Sequence, residues 1–174
     1  MAEAKLLSER FEFRNICPEE AMEAARIEQI CFPPNEACSE IQMVERANRI
    51  PELFLVAVDR ENGKLAGFLN GLATDSDVLL DDFFRNAGLH DPDGKHVMLL
   101  GLDVLPEYRG QGLAREIMSR YLAREKVRGR SCVILTCLAE KVAMYEKMGF
   151  HNRGVARSVW GGEQWYEMDC RLDS

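Results

Sequence analysis

The sequence lacks any apolar run of about 18 residues, so it contains no candidate for a membrane-spanning helix. Its first fifteen residues, MAEAKLLSERFEFRN, meet charged side chains too early to form the apolar core of a secretory signal. A basic surplus is also missing, because 22 Lys and Arg stand against 29 Asp and Glu and give a formal net charge of −7. Neutralising phosphates requires a basic face, so nucleic acid is not an expected partner. These absences predict a cytoplasmic protein that binds neither membranes nor nucleic acid.

The six cysteines form no CxxC pair, and no set of Cys and His has the spacing of zinc ligands. We therefore expect no metal site, and free thiols of the kind found in a reducing compartment. The P-loop pattern GxxxxGK[S/T] does not occur, and the segment RGQGLAR lacks the third glycine of the dinucleotide fingerprint GxGxxG. The remaining composition, 47% hydrophobic and 29% charged, is that of an ordinary globular protein. A length of 174 residues fits one domain spanning residues 1–174.

Hydrophobic periodicity and turn residues predict the element order β-α-α-β-β-(α)-β-α-β-α-β-β. Ser39 is a plausible N-cap for the second helix, and Asn62-Gly63 is a strong hairpin signal between two β-rich runs. The most continuously apolar run, HVMLLGLDVL at residues 96–105, predicts a central strand buried on both faces. Gly161-Gly162 predicts a second hairpin between the last two strands. The predicted helices cover residues 18–32, 39–48, 78–85, 113–128 and 138–149.

One glycine-containing turn connects the central strand to the helix that follows it. The segment VLPEYRGQGLAREIM, residues 104–118, places Gly110 and Gly112 between an apolar run and an amphipathic one. The first turn of a helix has unpaired N–H groups and a positive end, and glycine lets the main chain approach a ligand closely. Arg109 could add a positive charge. On spacing alone, the turn is either a phosphate site or a plain tight connection.

The wider segment LDVLPEYRGQGLAREIM resembles the acetyl-CoA-binding motif of the GNAT superfamily of N-acetyltransferases, whose core is Q/R-x-x-G-x-G/A. Arg109, Gly112 and Ala114 occupy its defined positions. MYEKMGF, residues 144–150, is similar to a second signature of the family, YEKxGF, at the usual distance downstream. The segments PEEAMEAARIEQICFPPNEACS and GEQWYEMDCRL look most like the arylalkylamine N-acetyltransferase branch. The resemblance implies an α/β (α+β) GNAT fold, with a mixed, mostly antiparallel sheet of about seven strands flanked by helices.

The resemblance also implies a function, which is transfer of an acetyl group from acetyl-CoA to a primary amine by direct attack in a ternary complex. The acceptor would be a small amine of arylalkylamine-like type, and a homodimer would be in keeping with the family. Tyr145 would be the general acid near the thioester sulfur, and the Leu102 N–H would polarise the acetyl carbonyl. The residues implied to bind acetyl-CoA, besides Tyr145, are Leu102, Asp103, Val104, Arg109, Gly110, Gln111, Gly112, Leu113, Ala114 and Arg115.

The general base is where the sequence departs from this branch. Relatives place a histidine or glutamate on the central strand, eleven residues before the motif arginine, and that position is Met98 here. Leu100, two residues further on, cannot accept a proton either. The remaining candidates are His96, Glu28, Asp103 or an ordered water. The missing base motivates an alternative function, a non-catalytic or sensor-like GNAT module that binds acetyl-CoA without turning it over.

The amine acceptor would lie against the loop FPPNEACSE, residues 32–40. Phe32, Pro33 and Pro34 would give stiff apolar walls, with Glu28 facing the cleft from the first helix. Glu36 and Glu40 could attract a cationic amine. All of these could equally be routine loop residues, and GNAT acceptors range from arylalkylamines, polyamines and amino acids to aminoglycosides and protein N-termini.

Overall fold

The computed structural model describes residues 6–173, which form a seven-stranded sheet in the order β1-β2-β3-β4-β5-β7-β6. Every neighbouring pair of strands is antiparallel except β4 and β5, which are parallel. This confirms the predicted mixed, mostly antiparallel sheet. The strands are β1 (Phe11–Asn15), β2 (Phe54–Asp59), β3 (Leu65–Thr74), β4 (His96–Val104), β5 (Cys132–Cys137), β6 (His151–Val155) and β7 (Tyr166–Arg171).

Residues 6–173 contain six α-helices, five in the predicted order and one that was not predicted; 3₁₀ turns at Pro18–Glu20 and Ala139–Lys141 precede two of them where longer helices were predicted. A single turn before β1 carries too little periodicity to be predicted. The fourth helix begins only at Asp82 rather than residue 78, because Leu79 is buried and its N–H donates to the Glu167 carboxylate. Within the described range, no helix is both long and apolar enough to cross a membrane. The helices are α1 (Leu7–Arg10), α2 (Ala21–Cys31), α3 (Glu40–Arg49), α4 (Asp82–Arg85), α5 (Leu113–Val127) and α6 (Val142–Lys147).

The helices cover both faces of the sheet, as the alternation along β2 shows. Phe54 and Val56 point into a cluster with α2 and α3, whereas Leu55 and Ala57 belong to a second cluster that includes α5. Successive side chains of a strand point to opposite faces, so β2 is buried on both. Ser39 caps α3 as predicted, with its hydroxyl accepting from the third helical N–H at 3.1 Å.

The sheet opens between its two parallel strands. β4 and β5 pair only through residues 96–98 and 132–134, and they separate beyond that point. On the other side of β4, the register with β3 shifts by one residue next to Gly71, which leaves Leu100 as an extra residue. Such a bulge bends a strand. Gly71 allows the close approach, since a Cβ there would lie 2.6 Å from the Met98 carbonyl oxygen.

Candidate active site

A cleft of about 860 Å³ lies where β4 and β5 separate. Its size falls within the range of ordinary small-molecule sites. The carboxyl ends of both strands border it, together with α2, the start of α5, α6 and the connection between β6 and β7. Most sequence-predicted site residues line this one cleft, namely Glu28, Phe32, Pro33, Glu36, Leu102, Val104, Arg109, Gly110, Gly112, Leu113, Ala114, Arg115 and Tyr145.

The turn before α5 presents a row of main-chain donors. In the described structure, none of the N–H groups of residues 110–115 has a hydrogen-bond acceptor, and the first helical bond runs from Glu116 to the Gly112 carbonyl at 3.0 Å. Gly110 and Gly112 have φ values of 78° and 85°, which are left-handed conformations that favour glycine. Six unused donors at the positive end of a fifteen-residue helix form a strong anion-binding arrangement.

The polar side chains of this turn serve the loop itself. Arg109 donates from Nε to the Val104 carbonyl oxygen at 2.8 Å, which ties the turn to the end of β4. The side-chain oxygen of Gln111 accepts a hydrogen bond from Arg10. Arg109 borders the cleft, whereas Gln111 does not.

The edge of β4 that faces the cleft lacks a neighbouring strand, although its Val104 carbonyl oxygen already accepts from Arg109. The Leu105 N–H donates to the Ala66 carbonyl oxygen in β3 at 2.9 Å, and the main-chain groups of successive strand residues alternate in direction. The main-chain groups of Leu102 and Val104 therefore point away from β3, into the gap left by β5. An extended ligand could bind along this edge as a strand does.

Two carboxyl groups meet beside the cleft. Glu28 on α2 is 4% exposed and accepts from the Cys38 N–H at 3.1 Å through Oε2, while its Oε1 has no partner in the described structure. Asp103 on β4 is 1% exposed, and neither of its oxygens has a partner there. Both groups flank Gly101, since a Cβ on that glycine would lie 3.2 Å from Asp103 Oδ1 and 3.5 Å from Glu28 Oε1.

The environment of this carboxyl pair favours a bound proton. Burial, followed by the negative charge of Glu28, raises the pKa of Asp103 well above its ordinary value. Two adjacent carboxylates cannot both ionise in a buried site at modest cost. Glu28 lines the cleft, whereas Asp103 lies behind Gly101 and does not border it.

A buried polar group supports the pair from behind. Asn70, which is 1% exposed, donates to the Gly101 carbonyl oxygen at 3.5 Å. Arg46, 2% exposed, donates to the Asn70 side-chain oxygen at 3.3 Å and to the Phe84 carbonyl oxygen at 2.9 Å. The Arg46 guanidinium therefore donates to neutral acceptors, and its connection to Gly101 runs through the Asn70 side chain.

Tyr145 on α6 is half-buried on the opposite wall of the cleft. Its ring packs edge-on against Phe150, with centroids 5.9 Å apart, and its hydroxyl makes no hydrogen bond to any residue between 6 and 173. Burial raises the pKa of Tyr145, and negative charge on Cys137 or Asp103 raises it further. The phenol is therefore held protonated, with its O–H available to a ligand.

The sequence did not single out an aromatic wall on the acceptor side. Trp160 stacks on Phe84 with centroids 5.0 Å apart, and its indole N–H donates to the Glu36 carbonyl oxygen at 2.8 Å. Trp165 donates in turn to the Trp160 carbonyl oxygen at 2.8 Å. These contacts join three separate loops around the cleft. The available signal was that the chain has only two tryptophans, both within residues 160–165.

The same side of the cleft carries acidic groups. Burial raises the pKa of Glu36, and the charges of Glu163 and Glu140 raise it further. Glu36 and Glu140 both border the cleft, whereas the exposed Pro34 and Glu40 do not. The negative charge concentrated here favours a cationic ligand.

His96 is the sequence-predicted candidate that lies farthest from these groups along β4. It begins the strand, where its Nδ1 lies 2.8 Å from the Ser76 carbonyl oxygen, and it does not border the cleft. Met98 is fully buried beneath the site, and Leu100 lines it. Of the side chains proposed as a base, the structure places only Glu28 in the cleft wall.

Comparison with known proteins agrees with this geometry. The sequence model of the acetyltransferase (GNAT) family matches residues 21–150. Serotonin N-acetyltransferase from Mesocricetus auratus is 29% identical over 168 residues, which cover 92% of this chain and 77% of that protein. The chain therefore belongs to the acetyltransferase (GNAT) family, and it is an enzyme of acetyl-CoA-dependent acetyl transfer. The family resemblance and the enzyme class expected from the two motifs are confirmed.

Solved structures show the same fold at low sequence identity. The loading GNATL domain of CurA from Lyngbya majuscula superposes with a TM-score of 0.81 at 16% identity, over 93% of this chain and 98% of that one. The GphF GNAT-like decarboxylase in complex with isobutyryl-CoA superposes with a TM-score of 0.77 at 19% identity, over 92% and 99% of the two chains. The predicted GNAT fold is thus confirmed.

Proposed function

We propose that this protein, acting as one domain, transfers the acetyl group of acetyl-CoA to a small primary amine of the arylalkylamine type. The amine attacks the thioester directly while both substrates are bound. One observation carries this proposal. The row of free N–H groups at α5, the open edge of β4, the buried carboxyl of Glu28 and the aromatic wall all border a single cleft.

The donor fits one half of the cleft. The N–H groups of residues 110–115 would hold the pyrophosphate of coenzyme A, because six donors without acceptors match an anion of that size. The pantetheine arm would extend along Leu102 and Val104, whose main-chain groups face the gap between β4 and β5. Asp103 would contribute to this strand through its main chain. GphF, which shares the fold, was solved with a coenzyme A thioester bound.

In the proposed reaction, Glu28, the Leu102 N–H and Tyr145 act on the ammonium, the oxyanion and the leaving sulfur, respectively. The ammonium of the acceptor gives a proton to Glu28, and the freed lone pair attacks the acetyl carbon. The Leu102 N–H then stabilises the oxyanion, a contribution of about 3 kcal/mol in known oxyanion holes. The C–S bond breaks, the second amine proton passes to the leaving sulfur to give the free thiol, and Tyr145 donates a hydrogen bond to that sulfur as it departs. Because burial raises the pKa of Tyr145, its main contribution is that hydrogen bond rather than complete proton transfer.

The acceptor half of the cleft favours a flat, positively charged amine. Trp160 and Phe84 provide aromatic faces, and Phe32 and Pro33 add apolar surface opposite the acidic rim. The acidic rim would attract the ammonium into the cleft, where it reaches Glu28, and the aromatic ring of the amine would lie against the tryptophans. The similarity to serotonin N-acetyltransferase supports the same acceptor class.

The test is release of free thiol from acetyl-CoA over a panel of amines, with mass detection of the acetylated product. The panel holds arylalkylamines, polyamines, amino acids, an aminoglycoside and a peptide with a free N-terminus. We expect the highest kcat/KM with the arylalkylamines. Binding of acetyl-CoA without amine-dependent thiol release would overturn the proposal and favour the sensor-like module.

A further inference from the structure

The surroundings of Glu28 provide little stabilisation for the negative charge that a general base must carry. Glu28 must be ionised to take a proton, yet it is 4% exposed and only Oε2 has a hydrogen-bond donor, the Cys38 N–H. Oε1 has no partner within the described residues. An ionised carboxylate in a buried site needs hydrogen-bond donors to compensate for the loss of water. Something else must stabilise its charge.

Asp103 is the group placed to do so. Its carboxyl and that of Glu28 flank Gly101 from two different elements, β4 and α2. Neither oxygen of Asp103 has another partner in residues 6–173, and burial beside the negative charge of Glu28 raises its pKa, which favours its protonated form. A protonated carboxyl has one O–H donor, and an ionised carboxylate is the strongest acceptor nearby.

We propose that Asp103 is a positioning residue, which stays protonated and donates a hydrogen bond to Glu28, keeping Glu28 ionised and directed at the acceptor amine. This inference rests on the proposed function. The pair holds one negative charge in the resting enzyme. During the reaction, one ammonium proton moves to Glu28 and the amine lone pair forms the new C–N bond. The C–S bond breaks, the second amine proton leaves with the thiol, and the Asp103 proton stays where it was.

The other polar groups around the pair do not replace this hydrogen bond. Cys38 already gives its N–H to Glu28 Oε2, and the Cys31 thiol donates to the Val104 carbonyl oxygen at 3.4 Å. Arg46 on α3 donates hydrogen bonds to Asn70 and to the Phe84 carbonyl oxygen, and Asn70 on β3 donates to the Gly101 carbonyl oxygen. Tyr145, on α6, lines the opposite wall of the cleft.

Two substitutions separate hydrogen bonding from packing. Asp103→Leu keeps the branched shape but removes the donor, whereas Asp103→Asn keeps the shape, the volume and a side-chain N–H donor. We expect Asp103→Leu to move the acid limb of the kcat/KM profile up by about one pH unit or more, because an unassisted buried carboxylate holds its proton more tightly. Activity would then be low at pH 7 and recover as the pH rises. Asp103→Asn should keep the wild-type limb and activity within about threefold at pH 7.

The contrary outcomes are equally specific. An acid limb that stays at the wild-type pH in Asp103→Leu, with activity scaled down at every pH, would assign Asp103 a packing role. A folded Asp103→Asn variant as impaired as Asp103→Leu would also overturn the proposal. In all variants the KM for acetyl-CoA should remain at the wild-type value, since the donor site is unchanged.

A measurement without turnover keeps this inference distinct from the proposed function. Infrared difference spectra of ¹³C-aspartate-labelled protein report a protonated aspartic carboxyl through its C=O stretch. We expect this band in the wild type at pH 7, its loss in Asp103→Asn, and a shift of the band in Glu28→Gln. Absence of the band in the wild type would refute the shared proton whatever the amine panel shows. Its presence in a protein that acetylates no amine would instead refute the proposed function and leave the pair in place.

Discussion

Replacing Gly112 by alanine tests whether the turn before α5 binds the donor through its main chain. Gly112 has φ 85°, and a Cβ built there meets no atom within 4 Å. The substitution therefore causes no clash in the free protein, and its cost is the left-handed backbone alone, about 1 kcal/mol. For a chain of this length, that lowers Tm by about 2–4 °C.

The effect on the donor should be larger than the effect on stability. Residue 112 lies in the middle of the N–H row, so a methyl group there would stand among the donors and hold the pyrophosphate away from them. Losing one or two charge-assisted hydrogen bonds costs about 1.5–3 kcal/mol. This corresponds to a dissociation constant for coenzyme A that is about 10- to 100-fold weaker. Isothermal titration with coenzyme A measures this change directly.

The chain offers a matched control at the other end of the same helix. Gly129 has φ 87°, a Cβ there also meets no atom within 4 Å, and the residue does not border the cleft. Gly129→Ala should lower Tm as much as Gly112→Ala does, while coenzyme A binds as tightly as to the wild type. Equal affinities in the two variants would refute the assignment of the turn as a pyrophosphate site.

Three further changes test other parts of the site. Tyr145→Phe should lower kcat at least about tenfold while acetyl-CoA still binds, because only the hydrogen bond to the leaving sulfur is lost; unchanged kcat would exclude that role. Asp103→Asn should reduce the difference between the free energies of unfolding measured by urea titration at pH 5 and at pH 8. In the wild type, the free energy of unfolding should fall as the pH rises above the ordinary pKa of aspartate, because the folded state keeps a proton that the unfolded state releases. An equally steep fall in the variant would contradict the raised pKa of Asp103. Trp160→Ala should raise the KM for an arylalkylamine about tenfold and leave that for acetyl-CoA unchanged, whereas Val159→Ala, at a neighbour 67% exposed, should change neither.

The conformation of the turn proposed to bind the donor was predictable because the chemistry that forms it is local. The turn from Arg109 to Arg115 needs glycines at fixed positions and a helix start directly after them, and both are visible in a short segment. The same holds for the hairpin at Asn62-Gly63 and the cap at Ser39, whose side-chain and main-chain partners lie within a few residues. Local chemistry of this kind leaves a pattern in the sequence.

The acceptor half was not predictable because it depends on contacts between distant segments. Phe84, Glu36 and Trp160 are far apart in the chain, and only the folded structure brings these segments together. Gly161-Gly162 illustrates the same point. The pair predicted a tight hairpin, and β6 and β7 do pair, but the glycines lie within a ten-residue connection, residues 156–165. Gly161 packs so closely on the α2–α3 loop that a Cβ would lie 2.4 Å from the Asn35 carbonyl oxygen.

Sequence patterns place Asp103 in an apolar strand but do not reveal its neighbour. Its pairing with Glu28 depends on the angle at which α2 crosses β4, and on Gly101 leaving space between the two carboxyls. The sequence shows a methionine at position 98, where a base was expected, and a carboxyl group at position 103. Nothing in the sequence connects the two observations. In the structure the two residues lie on the same strand, on either side of the bulge at Leu100.

The short parallel pairing of β4 with β5 places stability and activity in conflict. Only residues 96–98 and 132–134 join the two halves of the sheet, so each half has an unsatisfied edge beyond that point. Continued pairing of the two strands from Leu99 and Leu135 onward would add main-chain hydrogen bonds and raise the stability of the protein. It would also fill the gap between β4 and β5 in which we propose that the thioester binds. Selection for thermal resistance in this fold should therefore act on the outer strands and helices and leave this gap open.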